Sequence, residues 1–272
     1  MAPSPELGRE GLPESPYQGA SDLAGLDVYY APGLTRGQAE LALEGEEFHH
    51  LFRVGRHRVG DRVAVTNGCG MLAKAQIVAI NRGRAILRLE QWFLDQGESA
   101  VELHLGVGMI QSQRWDWLVE KATELGVRRL TPLRTRFVQG GTKEGKVERW
   151  RRVAVAALKQ CQRSVLLRVD EPMALDDWLD TVDGANAKFV ADARATLSLA
   201  EWVRREGDSV RGAVAALVGP EGGLAPEEIA KANGRGFVAV NLGPRRLRTE
   251  TAALLLSALL LNIAAAKEPL EG

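Results

Sequence analysis

At 272 residues the chain is long enough for one large domain or two modest ones, and either can bury a real core. Its 35 basic residues balance its 35 acidic ones, so overall charge argues neither for nor against a nucleic-acid partner and the distribution along the chain carries the information. Cys69 and Cys161 stand far apart without CxxC spacing, as expected of a reducing cytoplasm and no structural zinc. The longest apolar run, Ala252 to Ala266, holds Ser257 and Asn262 and falls short of the ~20 residues of a membrane span, so a cytoplasmic protein with no membrane segment is expected.

Met1 to about Gly25 is rich in Pro, Gly, Ser and Glu and lacks a periodic apolar face, the composition of a disordered tail. Residues 26–96 read as a small β domain. Val63 and Val65 alternate with polar neighbours, and Asn67-Gly68 signals a turn. Ala75, Ile77 and Ala79 lead to a second turn at Asn81 to Gly83, before Ala85 to Leu89. Between Phe48 and Leu89 stand Arg53, Arg56, Arg58, Arg62, Lys74, Arg82, Arg84 and Arg88 against Asp61 alone, the footprint of a phosphate-backbone partner. His49, His50 and His57 have no Cys or carboxylate set at ligand spacing, so no metal is expected.

After a polar link at Asp95 to Ser99, residues 97–272 read as a second domain. Val101, Leu103, Leu105 and Val107 alternate as a strand. Ser112 is placed to cap a helix with apolar positions Trp115, Leu118, Ala122 and Leu125, ended by Gly126. Trp115 and Trp117 read as core or interface fillers rather than base-stacking platforms. From Arg128 to Arg168, twelve Lys or Arg, Arg136 and Arg163 among them, face only Glu144 and Glu148. Within that stretch Lys146 to Cys161 is an amphipathic helix, with Trp150, Val153, Ala157, Leu158 and Cys161 inward, and Gly140 to Gly145 is a flexible loop. Asp170 to Asn233 reverses the balance with thirteen acidic to six basic residues. Its strands near Lys188 to Ala191 and Ala213 to Val218 alternate with helices near Ala174 to Val182 and Ser198 to Arg205, which predicts an α/β layered domain with a largely parallel sheet.

Two glycine-bearing loops carry the chemistry. LVGPEGGL, from Leu217 to Leu224, leaves the strand Ala213 to Val218 and leads into a helix from about Pro226 to Gly234; NLGPRRLRTETA, from Asn241 to Ala252, leaves Phe237 to Val240 and leads into a helix from about Glu250 to Ala266. Loops of this kind at the ends of parallel strands form a crevice for a small polar ligand. Gly219, Gly222, Gly223 and Gly243 would let main chain approach it without an intervening Cβ, or serve only as tight turns. Glu221 and the absence of GxGxxG or GxxxxGK[ST] at these junctions favour a cofactor with adenosine and a positive centre over one bound by its phosphates. A GxSxG elbow is also absent, which excludes that class of hydrolase.

LVGPEGG followed by LGPRRLRTETA resembles the signature of the RsmE-type 16S ribosomal RNA uridine N3-methyltransferases of the SPOUT superfamily. KATELGV at Lys121 to Val127, the QCGR-like Gln160 to Arg163 and the HHLxxVLR-like His49 to Arg56 extend the likeness from about Leu26 to the C-terminus. The resemblance implies a PUA-like β-barrel that grips ribosomal RNA, then a SPOUT α/β domain tied in a C-terminal trefoil knot. S-adenosyl-L-methionine would lie against Leu217, Val218, Gly219, Pro220, Glu221, Gly222, Leu242, Gly243, Leu247, Arg248 and Thr249. Arg248 would stabilise a uracil anion, with Glu250 or a water as proton acceptor; the plainer alternative has Glu250 capping its helix and Arg248 in an ion pair. Arg53, Arg56, Arg58, Arg62, Arg136 and Arg163 would contact small-subunit RNA or the 30S subunit. Family members generally form homodimers, for which the helix Ala252 to Ala266 is a candidate interface. A non-catalytic RNA-binding or ribosome-assembly protein with the same fold is the alternative. Gly55, Gln111, Trp115, Gln162 and Arg246 depart from the family pattern.

Overall fold

The computed structural model describes residues 20–110, 112–137, 145–207 and 210–265. Most of the expected tail and of the Gly140 to Gly145 loop, with Gln111, therefore lies outside the described residues. The tail's far end does not: Ala20–Leu23 form helix α1, and Leu23 is fully buried against Val28, Ala64, Leu72 and Phe93. The chain divides into two units, residues 1–98 with 162–165, and residues 99–161 with 166–272. Among the described residues no helix is long and apolar enough to cross a membrane.

The first unit holds strands β1 (Val28–Tyr30) and β2 (Glu40–Glu44), helix α2 (Gly45–His49) with a π turn at His50–Val54, then β3 (Arg62–Thr66), β4 (Met71–Asn81) and β5 (Arg84–Leu94). The sheet order is β1-β3-β4-β5-β2, antiparallel except for β1 with β3. Period-2 alternation places Val63, Val65, Ala73, Ala75, Ile77, Ala85 and Leu87 in one core. The turn after β3 is held by the Asn67 side chain, which accepts the N–H groups of Cys69 and Met71 at 2.8 and 3.1 Å. Residues 162–165 join this unit: Gly70 N–H donates to Ser164 O at 3.0 Å, and Ser164 N–H to Gln96 O at 3.1 Å. Gln162 has φ 58°, a conformation that favours glycine, and its amide donates to the carbonyls of Leu23 and Leu26 at 3.3 and 3.1 Å. Those two bonds accompany the departure from the family's glycine.

The second unit runs β6 (Val101–Gly108), α3 (Ser112–Leu125), β7 (Arg129–Arg134), α4 (Lys146–Cys161), β8 (Arg168–Val169), β9 (Met173–Ala174), α5 (Leu175–Thr181), β10 (Ala187–Ala191), α6 (Leu199–Glu206), β11 (Gly212–Val218), α7 (Pro226–Gly234), β12 (Val238–Val240) and α8 (Thr249–Ala265). Every pairing is parallel, in the order β12-β10-β11-β6-β7-β8, with β9 also on β7. Strand β11 is covered on both faces: Val214, Ala216 and Val218 pack in the core that includes α3, α4, α6 and α8, while Ala215 and Leu217 pack in the core of α5 and α7. Burial on both faces is why its sequence is an unbroken apolar run. Strand β7 pairs with β8 through Arg129 and Leu130 and with β9 through Leu133 and Arg134, and the break falls at Thr131-Pro132, where proline has no N–H to donate. Trp115 and Trp150 stack at 4.8 Å in the core, whereas Trp117 is 45% exposed and fills no core position.

Gly106 on β6 faces Trp178: a Cβ there would come within 2.7 Å of the indole and 2.9 Å of Leu133 Cδ1. Gly106→Ala is expected to overpack this core and cost about 1–3 kcal/mol, read from the urea midpoint. On the same strand, burial first and the Arg129 charge second hold the His104 imidazole below its ordinary 6.5, against the opposing pull of Glu102 and Asp170. The unfolded chain thus binds the proton more readily, so stability is full above the ordinary value and falls as pH drops below it. His104→Gln is expected to flatten that acid dependence in unfolding titrations between pH 7 and pH 5.

Candidate active site

Strands β10, β11 and β12 lie side by side in register, Ala191 opposite Val218 on one side and Val240 on the other. Their carboxyl ends are therefore level, and the three loops that leave them converge on a cleft of about 850 Å³. Two of these loops are the glycine-bearing segments. The third, Ala191 to Arg194, carries no glycine and gives no signal in the sequence.

Gly219 and Gly222 are explained by packing rather than by room for a ligand. A Cβ on Gly219 would lie 2.8 Å from Gly223 C and 2.9 Å from Leu224 N, so the loop closes on itself there. A Cβ on Gly222 would meet Phe137 Cβ at 3.0 Å, and one on Gly108, at the end of β6, would meet Pro220 Cδ at 2.4 Å. Gly223 turns the chain at φ 76° with its N–H on Pro220 O at 2.8 Å. Gly223 and Gly243, at φ 76° and 109°, have nothing within 4 Å of the missing Cβ, so at these two the left-handed backbone rather than packing favours glycine.

Val218, Gly219, Pro220, Glu221, Gly222, Leu242, Gly243, Leu247, Arg248 and Thr249 line the cleft. Leu217 does not; its side chain is fully buried in the core beneath. Arg114 of α3 enters from the side, with Nη1 3.1 Å from Glu221 Oε1 and Nε 3.7 Å from Glu250 Oε1. Glu250 is 6% exposed and is absent from the cleft lining, and its Oε2 has no hydrogen-bond partner. The Glu250 carboxylate thus faces Arg114 from behind the cleft wall and does not line the cleft. Arg248 is exposed and, like Arg245 and Arg246 beside it, pairs with no carboxylate among the described residues. In the third loop the Asp192 carboxylate accepts from Arg194 N–H and Nε at 3.0 Å. Burial alone would raise the Asp192 carboxyl, but the hydrogen bonds and charge of Arg194 outweigh it and hold it below the usual range.

The arginines expected to contact RNA fall into separate groups. Arg53, Arg56 and Arg58 are exposed and unpaired among the described residues. Arg62 pairs with Glu90 at 3.0 Å, and Arg136 with Glu227 while its N–H donates to Glu228 at 2.8 Å. The basic count is also offset by neighbours outside its window: Glu40 and Glu44 of β2 stand opposite Arg88 and Arg84. Arg163 differs from these in its surroundings. It is 2% exposed, with Nε and Nη2 on the Glu98 carboxylate at 3.1 and 2.6 Å inside the first unit, so its guanidinium is turned to the linker rather than to solvent. No group of three or more metal-ligating side chains occurs among the described residues.

Residues 97–261 match the model of an RNA methyltransferase domain, and residues 43–90 that of an RNA methyltransferase PUA domain. A Mycobacterium bovis protein named ribosomal RNA small subunit methyltransferase E is 30% identical over 235 residues, 83% of this chain and 87% of its own. The chain belongs to the ribosomal RNA small subunit methyltransferase E family. The Neisseria gonorrhoeae member, in a crystal structure bound to S-adenosyl methionine, matches with a TM-score of 0.78 at 27% identity, covering 88% of this chain and 98% of that one. A Legionella pneumophila methyltransferase in complex with the same cofactor matches with a TM-score of 0.76 at 28% identity, over 86% and 96% of the two chains. Within this family member, Arg114 ties loop to helix through carboxylates that lie more than a hundred residues away in sequence. Arg114→Ala would leave Glu250 buried without its cation, at a cost of about 1–3 kcal/mol. Adding Glu250→Gln is expected to recover part of that loss, a coupling that urea unfolding of the single and double variants measures.

Proposed function

We propose that this chain transfers a methyl group from S-adenosylmethionine to N3 of a uridine in small-subunit (16S) ribosomal RNA. The observation that carries the reading is the cleft at three level strand ends, within a domain that matches relatives crystallised with this cofactor. The cleft suits the cofactor's chemistry: two glycine-bearing loops line it, and the Asp192 carboxylate, held below the usual range, is an acceptor for hydroxyl groups. Main chain of Val218 to Gly222, Leu242, Gly243 and Leu247 to Thr249 would hold it. When bound, S-adenosylmethionine supplies a methyl group activated by its sulfonium.

The protein's share is alignment, because displacement at such a methyl needs no covalent enzyme intermediate. Uracil N3 lies on the pairing edge, so the base enters unpaired or flipped from its stack. Arg248, at the open side of the cleft without a counter-ion, is placed to offset the charge that appears on the uracil as the N3 proton leaves. With Glu250 buried behind Arg114, the proton passes to water in the open cleft.

Arg53, Arg56 and Arg58 of the barrel would hold RNA phosphates. A homodimer is supported by the exposed Trp117 on α3 and Leu259 on α8, two helices that pack together. The family's knot is supported by the path of the C-terminal segment, which leaves the edge strand β12 and returns to the middle of the sheet, where α8 packs on β6 and β11. A cytoplasmic location follows from the ribosomal substrate.

Arg248→Ala is expected to lower single-turnover methylation by about 10²-fold or more, the scale of losing one preorganised donor, with cofactor and RNA affinities changed far less. Labelled methyl transfer to 30S subunits, followed by nucleoside analysis, checks both the rate and the product. Binding of cofactor and RNA without transfer would make the chain a non-catalytic assembly factor instead.

A further inference from the structure

Six large apolar side chains are exposed among the described residues, and three of them, Phe52, Val54 and Val59 at 46, 64 and 58%, lie in one short stretch of the barrel. The same stretch carries Arg53, Arg56 and Arg58, so apolar surface and unpaired cations alternate along it. It is a rigid stretch. The π turn closes with Gly55 N–H on His50 O at 2.9 Å, His57 N–H donates to Leu51 O at 3.3 Å, and Leu51 is fully buried. The His57 ring is held by Asp27 at 2.9 Å and Asp61 at 3.5 Å. A Cβ at Gly55 would lie 2.7 Å from that ring and 2.8 Å from the Tyr29 hydroxyl oxygen, so this departure from the family's leucine lets the turn pack down. Phe48 and Phe52 stack with ring centroids 5.8 Å apart and planes within 6°.

We propose that this stretch is a platform for an unpaired RNA base, with Phe52 stacking on the base and Arg53, Arg56 and Arg58 holding the phosphates that flank it. A preorganised aromatic face set among arginines is the combination that binds single-stranded nucleic acid, because every unpaired base offers a π-face and every linkage a charge. A duplex hides its base faces and would engage only the cations. A protein partner would leave the three arginines without counter-charges unless it were acidic. The inference rests on the ribosomal RNA methyltransferase reading and adds to it a preference for a segment with an accessible base.

The test uses the full chain with single-stranded and fully paired RNA of matched length, titrated at several salt concentrations. Phe52→Ala is expected to weaken single-strand binding about tenfold with an unchanged salt slope, and to leave duplex binding as it is. Phe52→Trp should retain the parent's affinity. Arg53→Ala with Arg56→Ala should reduce the single-strand slope by about 1.4. Parent-like single-strand affinity in Phe52→Ala, or an equal loss on duplex, overturns the platform. Loss of binding to whole 30S subunits without any loss on protein-free RNA also overturns it, by assigning the surface to a ribosomal protein. S-adenosylmethionine affinity and methyl transfer by the parent are measured alongside. A parent that transfers no methyl group while Phe52→Ala still loses single-strand binding would sink the enzymatic reading and keep the platform.

Discussion

The parallel register of β10, β11 and β12 is the constraint on which the candidate active site depends. Because their last residues are level, loops that are separate in sequence open at one height and share one cleft. The register is secured from both faces by apolar packing, and a one-residue slip would exchange the two cores that β11 separates. Close approach then sets the loops themselves. Gly108 admits Pro220, Gly219 admits the returning chain at Gly223, and Gly222 lies against Phe137, so the glycines make a shape that holds before any ligand arrives.

Charge is arranged in two tiers around that shape. The paired tier, buried Glu250 with half-buried Arg114 and Glu221, ties the start of α8 to the first loop. The exposed tier, Arg245, Arg246 and Arg248, has no carboxylates to neutralise it among the described residues, which leaves it for an anionic substrate or a developing anion. The distinction has physical content: an arginine paired with two carboxylates is a strut, whereas an unpaired one in an open cleft still has its field to give. The same division separates Arg163, locked to Glu98, from Arg53 and Arg56 in the barrel.

The two units use side chains differently for the same end. In the α/β unit the backbone at strand ends makes the site, and side chains trim it. In the first unit a tight turn, closed by Gly55 N–H on His50 O and backed by the His57 ring on Asp27, carries an exposed aromatic ring and three exposed arginines. Presenting them on a stiff turn lowers the ordering cost of binding an otherwise flexible strand.

Patterns confined to neighbouring residues were legible in the sequence alone. Helix α4 at Lys146–Cys161 and α7 at Pro226–Gly234 follow from periodicity, Pro at a first turn and Gly at an end, and the barrel hairpins from period-2 alternation around Asn-Gly signals. Both glycine loops, and with them most of the cleft's lining, were visible for the same reason. Strand β7 was not, since a proline within a short apolar run argues against a strand until the gap between β8 and β9 gives Pro132 a place without a ladder partner on that side. The third loop with Asp192, the burial of Glu250 behind Arg114 and the burial of Arg163 against Glu98 were decided only by the tertiary structure. A carboxylate's partner 65 or 107 positions away leaves no trace in local spacing, because an arginine destined for a strut and one destined for a substrate are the same residue until folding brings a counter-charge to one of them.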